Sequence, residues 1–270
     1  MTYSNSSSNI TWKAKEYHEL SFAQQDAAIE FLKHLNISSK DNILDVGCGN
    51  GRITAQLATI ANHGFVLGID ISPEMIKFAS EHFSKDSYPN LQFQLGEAEN
   101  FCFEHQFDII FSSFVLQWVQ NKNVFLKNCY SSLSKKGLLA ITMPLCISQE
   151  LQKSIDVVIA LSDWASFFKD FHPGWFFINS DEFKDCVVEN GFKIKYCFSH
   201  IQEVSFPSRS SIEKYILLWF PFLKPLPRKK QKIFFKQIID EYLKTVSIQP
   251  DGSVKLRIPR LDIIAEKISP

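Results

Sequence analysis

Three glycines at alternate positions form the cluster of residues in this chain best suited to hold a ligand. Gly47, Gly49 and Gly51 follow an apolar run in the stretch "ILDVGCGNG". A glycine-rich turn between a buried strand and a helix lets backbone N–H groups approach a ligand closely. The spacing is G-x-G-x-G, whereas a dinucleotide pyrophosphate site reads G-x-G-x-x-G. The loop therefore predicts a ligand other than a pyrophosphate.

Two aspartates suggest what that ligand is. Asp45 ends the apolar run, where its carboxylate would repel a phosphate and attract a cation. Asp70 ends "FVLGID", where a carboxylate can accept both hydroxyls of a ribose, and Ile71 and Met75 follow as apolar surfaces for an adenine ring. Two alternatives stay open: Asp70 as a solvated carboxylate at a strand end, and Met75 as a core residue.

The elements that position these residues follow a regular alternation from about residue 40 to 142. Helical patterns begin at Arg52, at Ser72-Pro73 and in "NVFLKNCYSSL", and they separate the β-rich runs "NILDV", "FVLGID", "LQFQLG", "FDIIFSS" and "GLLAITMP". This alternation is typical of a parallel sheet with crossover helices. The first, fourth and fifth runs are almost wholly apolar, as strands covered on both faces must be.

Beyond residue 144 the alternation is interrupted twice. An aromatic-rich segment predicts an inserted helical cap, and "SDEFKDCVVENGF" then predicts a helix with its N-cap at Ser180 or Asp181 and its end at Gly191. The strand "KIKYCF" follows. A second helical insertion precedes "VKLRIPRLDIIAEK", which predicts a closing strand interrupted at Pro259.

The predicted organisation therefore has five segments. They are an N-terminal helix with a ligand-binding core (1–146), a helical cap (147–179), a continuation of the core (180–206), a second helical insertion (207–250) and a closing core strand (251–270).

Composition restricts the partners. Lys plus Arg total 29 and Asp plus Glu total 29, so no excess charge would attract nucleic acid or a membrane surface, and a small molecule is the expected partner. The six cysteines form no C-x-x-C pair, which disfavours zinc and disulfides, and we assign no metal. The N-terminal "MTYSNSSSNITWK" lacks the features of a signal peptide, and no apolar stretch is long enough to span a membrane. We expect a cytoplasmic protein.

Four motifs together resemble one family. "ILDVGCGNG", "VLGIDIS", "LGEAEN" and "FDIIFSSFVLQW" are similar, in order and interval, to the motifs of class I S-adenosylmethionine-dependent methyltransferases. The resemblance implies a transferase that uses S-adenosyl-L-methionine. It also implies an α/β fold, with a Rossmann-like, mostly parallel sheet of seven strands, helices on both faces, an antiparallel last strand and helical cap insertions.

The resemblance also assigns a cofactor site. The glycine loop contacts the methionine part, Asp70 holds the ribose, and the position after the third strand contacts adenine, although Glu97 stands there where Asp is usual. Tyr17 could close over the methionine end or serve an ordinary packing role. The full predicted set is Tyr17, Asp45, Gly47, Cys48, Gly49, Asp70, Ile71, Met75, Glu97, Ala98 and Ser112. Cys48 is given no nucleophilic role, because a small residue suits this loop.

Flanking segments narrow the resemblance to carboxyl methyltransferases. "WKAKEYHELSFAQQDAA" and "LQW" look like the subfamily that methylates trans-aconitate, juvenile hormone acid and carrier-bound malonyl groups. The tail "PFLKPLPRKK" to "RLDIIAEK" resembles the trans-aconitate enzymes, whereas "FAQQDA" resembles the juvenile-hormone-acid enzymes. The resemblance implies a small, partly apolar acid with fewer charges than a tricarboxylate.

This chemistry needs positioning more than acid–base catalysis. A carboxylate, with a pKa of about 4, is already ionised at neutral pH, so no general base is required. The site must hold one oxygen in near-attack geometry, and neutral donors do this without overstabilising the ground state. Gln24 and Trp118 are such donors and match the carboxylate-gripping positions of the juvenile-hormone-acid relatives. A solvated Gln24 and a core Trp118 remain the alternatives.

Other functions and residues also stay open. The alternatives are a malonyl-acyl-carrier-protein O-methyltransferase, a non-catalytic S-adenosylmethionine-binding protein and, disfavoured by the loop spacing, a nicotinamide oxidoreductase. The run "PRKKQK" fits an acidic carrier protein or a solvated helix face. Arg257 and Arg260 fit an acidic substrate, but surface ion pairs are favoured, and for His172 a backbone hydrogen bond is favoured over a role in the pocket.

Overall fold

The computed structural model describes residues 12–268, so the first residues of the predicted segment 1–146 and the last two of 251–270 lie outside it. The α-helices of the described chain are α1 Ala14–Leu20, α2 Phe22–Leu32, α3 Arg52–Ile60, α4 Pro73–His82, α5 Lys122–Ser132, α6 Gln149–Ile159, α7 Ala165–Phe168, α8 Ser180–Glu189, α9 Arg209–Leu217 and α10 Arg228–Thr245. The strands are β1 Ile43–Val46, β2 Val66–Asp70, β3 Leu91–Leu95, β4 Phe107–Ser113, β5 Leu133–Pro144, β6 Phe192–Phe206 and β7 Val254–Lys267. Short 3-10 turns cover Leu116–Trp118 and Pro221–Leu223.

The strands form one seven-stranded sheet in the order β3-β2-β1-β4-β5-β7-β6. Strands β1 to β5 pair in parallel, and β7 runs antiparallel to β5 with Ala140 opposite Ile264. This confirms the predicted mostly parallel, Rossmann-like sheet with an antiparallel last strand. In the sheet, β2 and β3 lie on one side of β1, and β4 and β5 lie on the other side. The carboxyl ends of β1 and β4 therefore flank a crevice of the kind that binds ligands in open α/β sheets.

The described chain divides into two compact units. A sheet unit comprises residues 12–145, 176–200 and 260–268, and a helical unit comprises 146–175 and 201–259. In the sheet unit, apolar side chains are buried on both faces of the sheet, with Phe31 and Phe111 in one core and Phe125 and Phe183 in the other. The predicted boundaries of the two insertions stay a prediction.

The helical unit has an aromatic core of its own. Helices α6 and α10 pack together, and the ring of Phe234 contacts the rings of Trp164 and Phe168. The Trp164 indole Nε1 donates to Gln237 Oε1 at 2.6 Å. No helix within residues 12–268 combines the length and the apolar character needed to cross a membrane.

Two local predictions need correction. Helix α8 is capped by Asn179, whose Oδ1 accepts the Glu182 N–H at 2.9 Å, and not by Ser180 or Asp181, because Ser180 is already helical. Strand β7 continues through Pro259 without interruption. Pairing with β5 starts only at Arg260, opposite Pro144, so this pairing does not require the N–H that Pro259 lacks. The Ser72 cap of α4 is as predicted.

Candidate active site

The glycine loop joins β1 to α3 at the crevice. Gly47 has φ +77°, in the left-handed region, and its N–H donates to the Ile69 carbonyl at 2.7 Å. A Cβ built on Gly47 would lie 2.1 Å from Cγ2 of Val115, far closer than any real contact. Backbone conformation and packing therefore both require glycine at this position.

Asp70 supports the loop from the neighbouring strand. Its Oδ2 accepts the Gly49 N–H at 2.9 Å and its Oδ1 accepts the Ser72 N–H at 2.8 Å. Burial raises the pKa of this carboxyl, and the two backbone hydrogen bonds oppose that rise. A carboxylate has about four lone-pair positions, so each oxygen can accept one more hydrogen bond from a ligand.

Asp45 is a second, more deeply buried carboxylate. It is 3% exposed, and its Oδ2 accepts a hydrogen bond from the Thr54 hydroxyl at 2.7 Å. Burial raises the pKa of Asp45 to about 7, with a further contribution from the negative charge of Asp70. A cation bound near these two carboxylates would favour their ionised forms, so the electrostatics of the site select positive charge.

Helix α1 lies against the loop. The Tyr17 ring comes within 3.8 Å of the position that a Cβ on Gly49 would occupy. Burial and the nearby Asp70 charge raise the pKa of the Tyr17 phenol, which therefore stays protonated at neutral pH. Arg52, the first residue of α3, donates to the main-chain carbonyl of His18 at 3.0 Å, contacts His18 Nε2 and donates to Gln25 Oε1, so α1 and α2 are tied to the loop.

These elements enclose a cavity. Its lining residues are Tyr17, Ser21, Gln24, Gln25, Asp45, Gly47, Cys48, Gly49, Asn50, Arg52, Ile53, Phe111 and Ser113. Within this lining, the amide oxygen of Gln24 is buried and has no hydrogen-bond partner. A buried amide atom without a partner costs about 1–3 kcal/mol, so it marks a position where a ligand group would be stabilised.

The predicted site residues fall into two groups. Tyr17, Gln24, Asp45, Gly47, Cys48 and Gly49 all line the cavity, and Asp70 bonds directly to this loop. Trp118 lies outside that lining, half-buried at the end of the 3-10 turn Leu116–Trp118, with its ring 5.9 Å from that of Trp12. Cys48 is buried, and burial raises the pKa of its thiol, which suits the predicted absence of a nucleophilic role.

The predicted adenine contacts differ in what they present to a ligand. Ile71 is 39% exposed, whereas Met75 is 2% exposed and packs in the core. Glu97 is exposed and Ala98 is half-buried, in the turn after β3. A ring placed beside Ile71 would cover apolar surface, whereas the protein already covers the Met75 side chain almost completely.

Ser112 does not face the cavity. It is 0% exposed, and its hydroxyl donates to the Val46 carbonyl at 2.9 Å, so it joins β4 to β1. Successive strand residues point to opposite faces, and Phe111 and Ser113 line the cavity instead. Sequence reasoning missed Ser113, although the period of two along "FDIIFSS" was the signal that could have found it. It also missed Thr54, for which the sequence carries no comparable signal.

Three further predictions have structural outcomes. The Arg257 side chain is 55% exposed, and its Nε lies 3.6 Å from Glu203 Oε1, which confirms the predicted surface ion pair. For Arg260 that prediction is wrong, because its side chain is fully buried, with NH2 2.8 Å from Glu30 and 3.0 Å from Asp262. His172 Nδ1 accepts the Gly174 N–H at 3.0 Å, which confirms its backbone hydrogen bond.

Comparisons with known proteins agree with this geometry. A family model described as a methyltransferase domain matches residues 37–198. The uncharacterized methyltransferase C70.08c of Schizosaccharomyces pombe is 27% identical over 267 residues, covering 95% of this chain and 98% of that protein. Trans-aconitate 2-methyltransferase of Enterobacter sp. (strain 638) is 24% identical over 262 residues, covering 95% of this chain and 98% of that protein. Phosphoethanolamine N-methyltransferase 2 of Haemonchus contortus, solved in complex with S-adenosyl-L-methionine, shares the fold with a TM-score of 0.60 at 15% identity, over 97% of this chain and 59% of that one.

Proposed function

The chain belongs to the class I S-adenosylmethionine-dependent methyltransferases, and we propose that its methyl acceptor is the carboxylate of a small, partly apolar acid. The observation that carries this proposal is the Gln24 amide, which lies in the cavity beside the glycine loop with its oxygen buried and unpartnered. As placed, this oxygen would accept from a donor on a ligand. Rotation of the amide exchanges its oxygen and its NH2 group, and in that rotamer Gln24 would donate to a carboxylate oxygen.

The residues around the glycine loop fit the cofactor. S-adenosylmethionine supplies a methyl group on a positively charged sulfur. We propose that Asp45 and the loop from Gly47 to Gly49 hold its methionine part, and that Asp70 accepts hydrogen bonds from the ribose hydroxyls through the lone pairs that its backbone partners leave available. Ile71, Met75, Glu97 and Ala98 would receive the adenine, with Tyr17 covering the methionine end.

The acid–base character of the lining supports an acceptor that is already ionised. The described residues that line the cavity include no histidine and no lysine. The Tyr17 phenol and the Cys48 thiol have raised pKa values, and Asp45, which accepts the Thr54 hydroxyl, is assigned in this proposal to the methionine part of the cofactor. An alcohol or amine acceptor would have to lose a proton, whereas a carboxylate would not. Similarity to trans-aconitate 2-methyltransferase supports the same acceptor class.

The direct test is a panel of acceptors, with release of S-adenosylhomocysteine as the readout. The panel contains monocarboxylic and dicarboxylic acids of matched chain length, their amides and alcohols, and the malonyl group on an acyl carrier protein. We expect turnover on free acids and none on the amides or alcohols. Turnover on the carrier-bound group alone would support the second candidate, for which exposed Arg228, Lys229 and Lys232 on α10 supply a basic surface. Turnover on alcohols or amines alone would contradict the proposal.

Removing either proposed hydrogen-bond donor, Trp118 or Gln24, should slow methyl transfer without lowering the affinity for the cofactor. We expect Trp118→Phe and Gln24→Leu each to lower kcat/KM for the best acid by about tenfold, because a hydrogen bond to a charged group contributes about 1.5–3 kcal/mol. The affinity for S-adenosylhomocysteine, measured by calorimetry, should stay within about twofold of wild type. Exposed Gln92 provides the matched control as Gln92→Leu. Unchanged kcat/KM in both variants would remove these two residues from the acceptor site.

The raised pKa of Asp45 predicts a pH dependence of cofactor binding. The free protein takes up a proton as the pH falls through about 7, and the cationic cofactor favours the ionised carboxylate. Affinity for S-adenosylmethionine should therefore be highest above pH 7 and fall by about tenfold between pH 8 and pH 6, since one linked proton changes affinity by at most tenfold per pH unit. Calorimetry across this range checks the slope. Asp45→Asn should bind more weakly and show a flat profile, and an equally steep profile in that variant would assign the proton to another group.

A further inference from the structure

A buried lysine holds the chain on one side of Trp118. Lys122 is the first residue of α5 and is 8% exposed. Its ammonium Nζ donates to the Val119 carbonyl at 2.8 Å and also to the Phe176 carbonyl. Val119 is the residue that follows Trp118, so Lys122 links the end of the 3-10 turn to the segment that precedes α8.

The same segment also holds the chain on the other side of Trp118. The Phe176 N–H donates to the Gln117 carbonyl at 2.7 Å. Phe176 is therefore hydrogen-bonded to Gln117 directly, and the Lys122 ammonium connects the Phe176 carbonyl to the Val119 carbonyl. We call these three hydrogen bonds the Lys122 clasp. Because both residues next to Trp118 are fixed, the backbone that carries the indole has little freedom to rotate.

The clasp contains an unusual charge. Both partners that the structure gives the ammonium are neutral carbonyl oxygens. Burial lowers the pKa of Lys122 to about 8, while the negative charge of Glu99 acts in the opposite direction. The Glu99 carboxylate is itself engaged, since it accepts the Asn121 N–H at 2.7 Å and the Gln120 N–H at 3.3 Å. An apolar side chain could fill this volume without the desolvation cost, but it could not supply the two hydrogen bonds.

We propose that Lys122 is a positioning residue for methyl transfer, which fixes Trp118 in the orientation that holds the acceptor carboxylate. The inference rests on the proposed function, because it takes Trp118 as a donor to the acceptor. It assigns the lysine no contact with the acceptor or the cofactor. A variant of Lys122 should therefore show a lower kcat/KM for the acceptor and an unchanged affinity for the cofactor.

The first test compares two lysines of α5. Lys122→Met should misorient Trp118 and so weaken the hydrogen bond from its indole to the acceptor carboxylate, which is the bond that Trp118→Phe removes. We therefore expect kcat/KM for the best acid of the panel to fall by about tenfold and S-adenosylhomocysteine affinity to stay within about twofold of wild type. The double variant with Trp118→Phe should then lose little more than either single variant. Lys127→Met removes an exposed lysine of the same helix and should match wild type. Unchanged kcat/KM in Lys122→Met, or full additivity in the double variant, would overturn the proposal.

A second measurement needs neither turnover nor a folded Lys122→Met. The Trp118 indole N–H resonance of the wild-type chain, assigned by its loss in Trp118→Phe, is followed from pH 6.5 to 9.5 by ¹⁵N NMR. Deprotonation of Lys122 weakens the clasp, since charge-assisted hydrogen bonds are about twice as strong as neutral ones. We expect the resonance to shift with a midpoint near pH 8. A resonance that does not move with that midpoint would refute the link between the two side chains.

The two measurements separate this inference from the proposed function. If no carboxylic acid is methylated but the indole resonance titrates near pH 8, the acceptor proposal fails and the clasp stands as a structural link. If acids are methylated and Lys122→Met is as active as wild type, the proposed function stands and Lys122 has no positioning role.

Discussion

Replacing Asp70 by alanine is expected to weaken binding of S-adenosylhomocysteine by about thirtyfold. A hydrogen bond to a charged acceptor contributes about 1.5–3 kcal/mol, and a loss of about 2 kcal/mol corresponds to that factor. The substitution also releases the Gly49 and Ser72 N–H groups, which the carboxylate accepts at 2.9 and 2.8 Å. The glycine loop would then have to be ordered by the ligand, which lowers affinity further. Isothermal calorimetry at pH 8 measures the effect.

Two controls make this result specific to the site. Asp86→Ala removes an exposed aspartate after α4 and should leave the affinity unchanged. Asp70→Asn keeps one oxygen for a backbone N–H but loses the charge, so its affinity should lie between those of Asp70→Ala and wild type. Wild-type affinity in Asp70→Ala would show that the ribose is held elsewhere.

Gly47→Ala is expected to lower the free energy of unfolding by about 3 kcal/mol or more and to abolish cofactor binding. The φ of +77° costs an alanine about 1–2 kcal/mol, and the contact with Val115 at 2.1 Å adds an overpacking cost of about 1–3 kcal/mol. The strain would move the loop out of the geometry in which the Gly49 N–H donates to Asp70 Oδ2. Urea denaturation and calorimetry measure the two effects.

The chain offers a matched control for the backbone share of this cost. Gly174 has φ +78°, and a Cβ built there meets nothing within 4 Å. Gly174→Ala should therefore lose only about 1 kcal/mol and keep full cofactor affinity. Combining Gly47→Ala with Val115→Ala should remove the contacts at 2.1 and 3.0 Å and leave the Cβ of residue 115 at 3.1 Å, so most of the packing cost should disappear while the backbone cost stays. Equal losses in Gly47→Ala and Gly174→Ala would show that packing against Val115 contributes nothing.

Local signals predicted most of the sheet and the position of the glycine loop. The alternation of β-rich runs and helices predicts the parallel strands, because such connections favour one architecture, and the G-x-G-x-G spacing places the loop at the end of β1. The Ser72-Pro73 pair predicts the start of α4 because cap and first-turn preferences are local. Asp70 could be singled out because a carboxylate at the end of a second strand has a defined place in this fold.

What the sequence did not predict depends on distant partners. Arg260 reads as a surface residue beside Arg257, but its burial depends on Glu30 in α2 and Asp262 in β7. Pro259 reads as a strand breaker until the pairing partner of each neighbour is known. Lys122 reads as an ordinary helix-start lysine, because its hydrogen bond to Phe176 joins residues 54 positions apart. Thr54 likewise needs the fold to bring it to Asp45.

The ion pair between Arg260 and Glu30 joins residues 230 positions apart in the chain. Glu30 lies on the helix that carries Gln24 into the cavity, so that helix gains this anchor only after the final strand has docked. Contacts of such long sequence separation form late, since the intervening chain must first lose its freedom. During synthesis on a ribosome, this anchor can therefore form only after β7 has emerged, whereas the hydrogen bond from Arg52 to Gln25 on the same helix needs no segment beyond α3.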